Sequence, residues 1–175
     1  SIADLGSNFT LGNMDYGVSL TVNLDGDGSV IKDPDKDDYE YNDTVELTAI
    51  ADPGWTFSAW SGDLTGSTNP DTIQITGNMV VTATFTQDEY NVTVTTVGNG
   101  SVVNSPGNPY TYGQTATLEP VAAASWTFSG WSGVDVGDLS DNGDGTWDLI
   151  MDGDKAITAT FTRFYIYLPI ISANK

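Results

Sequence analysis

The sequence predicts an all-β protein made of two tandem copies of one small, helix-poor unit. Apolar residues alternate with a period of two, Gly-containing turn sequences separate the alternating runs, and stretches of the first half recur in the second. A period of two places one face of a strand against a core and the other face in water. Because helical spacing is absent from both halves, we expect strands throughout.

The recurrence is clearest around the tryptophans. Trp55–Gly62 returns as Trp126–Gly133 with a single change, and Thr82–Thr86 returns unchanged as Thr158–Thr162. Two matches in the same order predict two structural repeats, and the short segment between them predicts a semi-rigid pair. The predicted division is an N-terminal arm at 1–15, a first repeat at 16–86, a linker at 87–89, a second repeat at 90–162 and a C-terminal tail at 163–175.

The strands are expected in the same order in each repeat, with the opening strands aligned so that Tyr16 matches Tyr90. Threonine is frequent on the face opposite the apolar residues, and its branched side chain favours strands. The alternating apolar positions are Val18, Leu20, Val22 and Leu24, then Val45, Leu47, Ala49 and Ala51, then Val81, Ala83 and Phe85, and in the second copy Val92, Val94, Ala116, Leu118, Ile157, Ala159 and Phe161.

Turn sequences lie between these runs. Gly paired with Asp or Asn favours the positive φ that tight hairpins require. We therefore expect hairpins at four places, namely Asp25–Gly28, Gly77–Asn78, Asn99–Gly100 and Asp152–Gly153.

Aromatic residues recur at identical spacing and are expected to form the core of each repeat. A small core without helices needs large rings, and such rings also pack favourably against one another. The predicted core residues are Trp55, Phe57, Trp60 and Phe85 in the first repeat and Trp126, Phe128, Trp131 and Phe161 in the second.

Trp147 has no evident counterpart in the first repeat. It lies at the end of a longer stretch in the second copy, Asp135–Trp147. Because aromatic faces stack on sugars, Trp147 is the candidate for contact with a glycan ligand.

Composition excludes most familiar chemistries. The chain has 5 Lys plus Arg against 24 Asp plus Glu, a formal charge of −19, and neither His nor Cys. Without His or Cys there is no Ser-His-Asp or Cys-His system, no thiolate or imidazole metal site and no disulfide. The acidity disfavours nucleic acids and anionic lipids as partners, and no apolar run reaches the about 20 residues that membrane insertion needs.

The acidic clusters offer calcium binding as an alternative to solvated turns. Asp138, Ser140, Asn142 and Gly143 match the spacing of an EF-hand loop, but Leu149 stands where the bidentate Glu belongs. We therefore expect no cofactor, with calcium at Asp138, Asp141 and Asp144 as the alternative. Paired carboxylates could also hydrolyse glycosides, but acids in exposed turns lack a cleft and a raised pKa, so we expect no enzyme.

The order of motifs resembles the divergent InlB B-repeat family of bacterial surface proteins. The resemblance rests on Gly-Ser-Val, Pro-Gly-Trp-x-Phe-x-x-Trp-Ser-Gly-Asp and Val-Thr-Ala-Thr-Phe, in that order. It implies small β-grasp-like modules strung in tandem outside the cell, and it brings no catalytic residues. The second copy departs from the pattern by having Val134 where the first has Asp63.

The two terminal segments carry apolar residues that belong to neither repeat. The tail has apolar residues on both faces of any strand it forms, so it favours burial. It could fold back on the second repeat or add as a strand to a neighbouring subunit. The candidate assembly residues are Ile2, Leu5, Phe9 and Leu11 in the arm and Phe164, Tyr165, Ile166, Tyr167, Leu168, Ile170 and Ile171 in the tail.

These features predict an extracellular or cell-surface structural protein that assembles with itself into a fibre through its terminal strands. The alternative is a surface adhesion or carbohydrate-binding module, with Trp147 touching the glycan.

The chain begins with Ser rather than Met, which is typical of a processed or excised product. Asn-x-Ser/Thr tripeptides begin at Asn8, Asn42, Asn91 and Asn99, and these are glycosylation sites only in an organism that modifies exported proteins.

Overall fold

The computed structural model describes residues 17–165, which contain thirteen strands and one short 3₁₀ turn joined by loops. The described residues contain no α-helix, so the all-β expectation is confirmed. The chain divides into two compact units. Among the described residues, one unit comprises 17–52 together with Phe57–Thr86, and the other comprises Pro53–Thr56 together with 87–165.

The first repeat consists of six strands in two three-stranded sheets. One sheet has the strand order β1-β6-β4 and the other has the order β2-β3-β5. β1 runs parallel to β6, whereas β3 is antiparallel to both of its neighbours. The strands are β1 Leu20–Asp25, β2 Gly28–Asp33, β3 Thr44–Ala51, β4 Trp55–Gly62, β5 Asp71–Gln74 and β6 Met79–Gln87.

The second repeat has the same arrangement with one strand added. Its sheets have the orders β10-β13-β7 and β11-β12-β9-β8, and a 3₁₀ turn at Val136–Asp138 precedes the additional strand β11. β7 is parallel to β13, and β10 is antiparallel to β13. The strands are β7 Val92–Val97, β8 Gly100–Ser105, β9 Thr115–Ala122, β10 Trp126–Ser132, β11 Leu139–Asp141, β12 Trp147–Ile150 and β13 Lys155–Arg163.

Each repeat buries one face of its strands, as the alternation predicts. In β6, Val81, Ala83 and Phe85 are buried while the threonines between them are partly exposed. β13 repeats this pattern with Ile157, Ala159 and Phe161. A fully buried Val, Leu, Ile or Phe contributes about 1.5–3 kcal/mol relative to an exposed one, so these inward faces hold the sheets together.

The four predicted hairpins are wrong, because each of those turns joins strands of different sheets. The turn after β1 leads to β2 and the turn after β7 leads to β8, yet neither pair of strands is hydrogen-bonded. Gly26 and Gly98 have φ of 90° and 89°, so the second of these turns uses Gly98 rather than Gly100 for its positive φ. A crossing between sheets needs the same tight reversal as a hairpin, and the local sequence does not tell the two apart.

The opening strands of the two repeats align two residues away from the predicted alignment. Leu20 pairs with Met79, and Val92 pairs with Lys155. Met79 and Lys155 each stand three residues before the recurring Thr-Ala-Thr-Phe, so Leu20 corresponds to Val92 and not to Val94. A slip of two residues keeps every side chain on the same face, so alternation alone cannot detect it.

Candidate functional site

A cluster of aromatic rings lies at the centre of the first repeat. The ring centroid of Phe57 is 4.9 Å from that of Trp60 and 5.9 Å from that of Phe85. Trp60 is 2% exposed, and its Nε1 donates a hydrogen bond of 2.8 Å to the carbonyl oxygen of Thr68 in the loop before β5. The indole is therefore both packed and hydrogen-bonded, as a buried polar group requires.

The second repeat has the same cluster with a second tryptophan added. The Phe128 ring lies 5.1 Å from Trp131, 5.2 Å from Trp147 and 5.7 Å from Phe161. Trp131 is half-buried, and its Nε1 has no hydrogen-bond partner within residues 17–165. Because the 3₁₀ turn and β11 occupy the connection from β10 to β12, this repeat has no equivalent of the Thr68 carbonyl at the indole.

The predicted core rings are placed as follows. Trp60, Phe85 and Phe161 are buried, and the other five are half-buried, namely Trp55, Phe57, Trp126, Phe128 and Trp131.

Trp147 does have a counterpart in the first repeat, so the prediction that it has none is wrong. It begins β12, where it lies opposite Leu118, and the corresponding residue of β5 is Asp71, opposite Leu47. The half-buried Trp147 ring packs edge-on against Trp131, with centroids 5.6 Å apart. Its role as a glycan contact stays a prediction.

The loop after β10 replaces Asp63 by Asp135, and not by Val134 as the alignment predicted. Asp63 accepts a hydrogen bond of 2.7 Å from the backbone N–H of Val80, and Asp135 accepts one of 2.7 Å from that of Ala156. Val80 and Ala156 are the second residues of β6 and β13. Val134 is therefore one additional residue, and its side chain is 86% exposed.

Lys155 is a buried charged residue of the second repeat that no sequence motif singles out. It is 8% exposed, and its Nζ lies 2.7 Å from Asp138 and 2.6 Å from Asp152. Hydrogen bonds to Asp138 and then Asp152 hold the pKa of Lys155 well above its usual range, and Lys155 in turn lowers the pKa of Asp152. The ion pairs tie the 3₁₀ turn to the start of β13, where the first repeat has Met79.

The three candidate calcium ligands do not come together. Asp138 pairs with Lys155, Asp141 accepts a bond of 2.8 Å from the Gly143 N–H, and Asp144 accepts one of 3.0 Å from the Thr146 N–H. The bonds from Thr146 also lower the pKa of Asp144. Within residues 17–165, no group of three or more carboxylates is placed to hold a metal ion.

A buried tyrosine fixes the loop between the first two antiparallel strands of each repeat. Tyr39 exchanges two backbone hydrogen bonds with Val18, of 3.1 and 2.9 Å. Tyr110 makes the same exchange with Tyr90, at 2.7 and 2.8 Å. In both repeats the loop therefore runs antiparallel to the residues that precede the opening strand, and it lies beside the start of that strand.

The two repeats differ at the next position along this edge. In the second repeat the Asn108 amide clamps Val92, because its Oδ1 accepts from the Val92 N–H at 2.8 Å and its Nδ2 donates to the Val92 carbonyl at 3.1 Å. Counted back from the tyrosine, Asp37 corresponds to Asn108, and by strand register Leu20 corresponds to Val92. A carboxylate cannot donate to a carbonyl, and the described residues contain no bond between Asp37 and Leu20.

The described part of the C-terminal tail begins with exposed aromatic residues. The Phe164 N–H donates to the carbonyl of Ser125 at 3.0 Å, after which the Phe164 and Tyr165 side chains are 47% and 70% exposed. The other candidate assembly residues lie outside the described residues, namely Ile2, Leu5, Phe9, Leu11, Ile166, Tyr167, Leu168, Ile170 and Ile171.

The positive charges of the described part are largely paired within the chain. Lys32 lies 2.8 Å from Asp35 and Lys36 lies 2.9 Å from Asp43, and Lys155 is held as above. Arg163 lies over the Tyr165 ring at 5.2 Å. Of the glycosylation tripeptides, Asn42, Asn91 and Asn99 are exposed, and Asn8 lies outside the described residues.

Comparison with known families identifies the repeats. The divergent InlB B-repeat domain matches residues 18–89 and again residues 90–164, so the chain belongs to this family and contains two copies. The family is typical of extracellular or surface-associated bacterial repeat proteins. No curated protein and no solved structure matches the chain. Residues 17–165 contain no helix that is long and apolar enough to cross a bilayer.

Proposed function

We propose that this chain is a non-catalytic structural protein of the bacterial exterior whose copies join into a fibre through their terminal segments. The observation that carries the proposal is the exposure of Phe164 and Tyr165 where the chain leaves β13. They begin an apolar run that continues through Ile171. An exposed apolar strand favours association, because pairing satisfies its backbone and buries its side chains.

The charge distribution supports assembly through backbone and apolar contacts. At −19, two copies repel each other at long range. Because the described lysines are each paired with an aspartate of the same chain, they are poorly placed to bridge copies. The proposed role needs no cofactor and no catalytic residue.

Deleting residues 164–175 tests this function. The shortened chain should keep two folded repeats, seen as an unchanged β-type circular dichroism spectrum, and should no longer form filaments in electron microscopy. A full-length control in which Ile166, Leu168 and Ile170 are replaced by Asn separates the apolar contacts from mere length, and it should also fail to assemble. Filaments from the shortened chain, or a full-length chain that stays monomeric by light scattering at high concentration, would contradict the proposal.

A second candidate function is glycan binding by the second repeat. It is favoured by the half-buried Trp131 and Trp147 rings, whose centroids lie 5.6 Å apart. The first repeat has no such pair, since Asp71 stands at the place of Trp147. Titration with neutral oligosaccharides should then quench tryptophan fluorescence, and Trp147→Ala should abolish the quenching while Trp55→Phe leaves it. Absence of quenching across such a panel would exclude this candidate.

A further inference from the structure

We propose that the free edge of β1 in the first repeat accepts the C-terminal tail of a second copy as an added strand. This inference rests on the proposed function and names the surface to which the tail binds. β1 is an edge strand that pairs with β6, and the described residues place no strand on its other side. Such an edge presents unpaired N–H and carbonyl groups that can template another strand.

The equivalent edge in the second repeat is partly closed. The Asn108 side chain satisfies both backbone groups of Val92, the first residue of β7. Asp37 occupies that place beside Leu20 and offers only acceptors. The backbone of Leu20 therefore lacks the side-chain clamp that Asn108 supplies to Val92.

The exposed apolar side chains do not separate the two edges. Leu24, near the end of β1, is 49% exposed, and Val97, the last residue of β7, is 52% exposed. The clamp on the Val92 backbone, and not the side chains, therefore favours β1 as the acceptor.

Charge complementarity identifies the tail as the occupant. Residues 163–175 hold Arg163 and Lys175 and no acidic residue, in a chain whose net charge is −19. The segment beside the start of β1, residues 33–43, is acidic, since it holds Asp33, Asp35, Asp37, Asp38, Glu40 and Asp43 against Lys36 alone, with Asp35 and Asp43 paired to Lys32 and Lys36. Opposite charges steer the approach of the two segments and disfavour other strands of this acidic chain.

The apolar pattern of the tail also suits this sheet. Counted from the Phe that ends each Thr-Ala-Thr-Phe, Ile166, Leu168 and Ile170 stand at the places of Tyr90, Val92 and Val94. Val92 is buried in the second repeat, and Tyr90 and Val94 pack against the same core. The tail thus carries the side-chain alternation of an opening strand. Because donor and acceptor are different surfaces, the contact is heterologous and generates an open filament.

Asp37→Asn is the first test, because it installs in the first repeat the amide that clamps β7. It should raise the concentration needed for filament formation by about tenfold or more, while the circular dichroism spectrum and unfolding midpoint are kept or improved. Asp38→Asn is the matched control, since it removes the same charge from the next residue without facing Leu20. Equal effects of the two variants would overturn the proposed acceptor.

Cysteine cross-linking is the second test, and the absence of native Cys makes it specific. A mixture of Leu24→Cys chains and Leu168→Cys chains should form a disulfide-linked dimer on mild oxidation, whereas Thr96→Cys with Leu168→Cys should not. A Leu24→Cys, Leu5→Cys chain that cross-links within the monomer would show that the N-terminal arm covers this edge, and would overturn the inference.

The outcomes separate this inference from the proposed function. If deletion of 164–175 abolishes filaments but Asp37→Asn behaves like Asp38→Asn, the tail assembles elsewhere and only the β1 acceptor is wrong. If the deletion leaves filaments intact, the proposed function itself fails.

Discussion

The two repeats share one strand arrangement but stabilise it differently. Each has a mixed sheet with a parallel first and last strand, an antiparallel second sheet and a buried tyrosine in the same loop. In the first repeat the Trp60 indole donates to the Thr68 carbonyl, whereas the second repeat adds Trp147 and a buried Lys155 paired with two exposed aspartates. The comparison shows that the inward apolar faces define the fold, and that the loops carry what distinguishes the copies.

The largest expected difference concerns the central tryptophans. Trp60→Ala should lower the free energy of unfolding of the first repeat by about 3–5 kcal/mol, the usual cost for a buried Trp. Trp131→Ala should cost clearly less, because that ring is half-buried and its N–H makes no bond within residues 17–165.

Urea denaturation of each variant, with circular dichroism as the signal, measures both losses. Trp60→Phe is the control, since it keeps an aromatic ring and removes the bond to Thr68. A loss at Trp131 equal to that at Trp60 would mean that the two aromatic clusters contribute alike, despite their different exposure.

A smaller difference is expected in pH dependence, because of the ion pairs of Lys155. The lowered pKa of Asp152 stabilises the fold above the ordinary value of 3.8, and this stabilisation is lost as pH falls through the lower folded value. The stabilisation that comes from the raised pKa of Lys155 is fully present below the ordinary value of 10.5. It is lost only as pH rises through the pKa of the folded state. Acid therefore leaves the buried Lys155 ammonium without the charge of Asp152.

Lys155→Met, which installs the residue of the first repeat, tests this. The thermal unfolding midpoint is measured at neutral pH and at a pH below the ordinary carboxyl pKa. Acidification should lower this midpoint less in the variant than in the parent chain. Lys36→Met is the control, because its pair with Asp43 is more exposed and should matter less. Identical pH profiles of the parent and Lys155→Met would contradict the prediction.

Sequence alone predicts the strands that bury one face along their length. The predicted alternating runs lie in β1, β3, β6, β7, β9 and β13, whereas β2, β4, β5, β8, β10, β11 and β12 were not assigned. β5 and β12 are each four residues long and β11 is three. Such short strands carry too few alternating residues for a period to show, and their position depends on pairing with β3 and β9.

The candidate acceptor edge could not be predicted from the sequence. Asn108 precedes Pro109, which in a sequence indicates a turn. Its contact with Val92 exists only because the Tyr90 and Tyr110 backbones pair across the loop. Likewise, the burial of Lys155 depends on a 3₁₀ turn that no local pattern indicates. Long-range register, and not composition, places these groups.

The smallest effect is expected from Val134, the additional residue after β10. Its side chain is 86% exposed, and the first repeat closes the same loop without it, since Asp63 holds the Val80 N–H at 2.7 Å. Deleting Val134 should therefore change the free energy of unfolding by less than about 0.5 kcal/mol, as for an ordinary surface change. Asp135→Ala is the comparison, because it removes the acceptor from the Ala156 N–H and should cost about 1 kcal/mol. Urea denaturation measures the free energy of unfolding of both variants. A larger loss of this free energy on deletion of Val134 than on Asp135→Ala would show that the two loops are closed by different contacts.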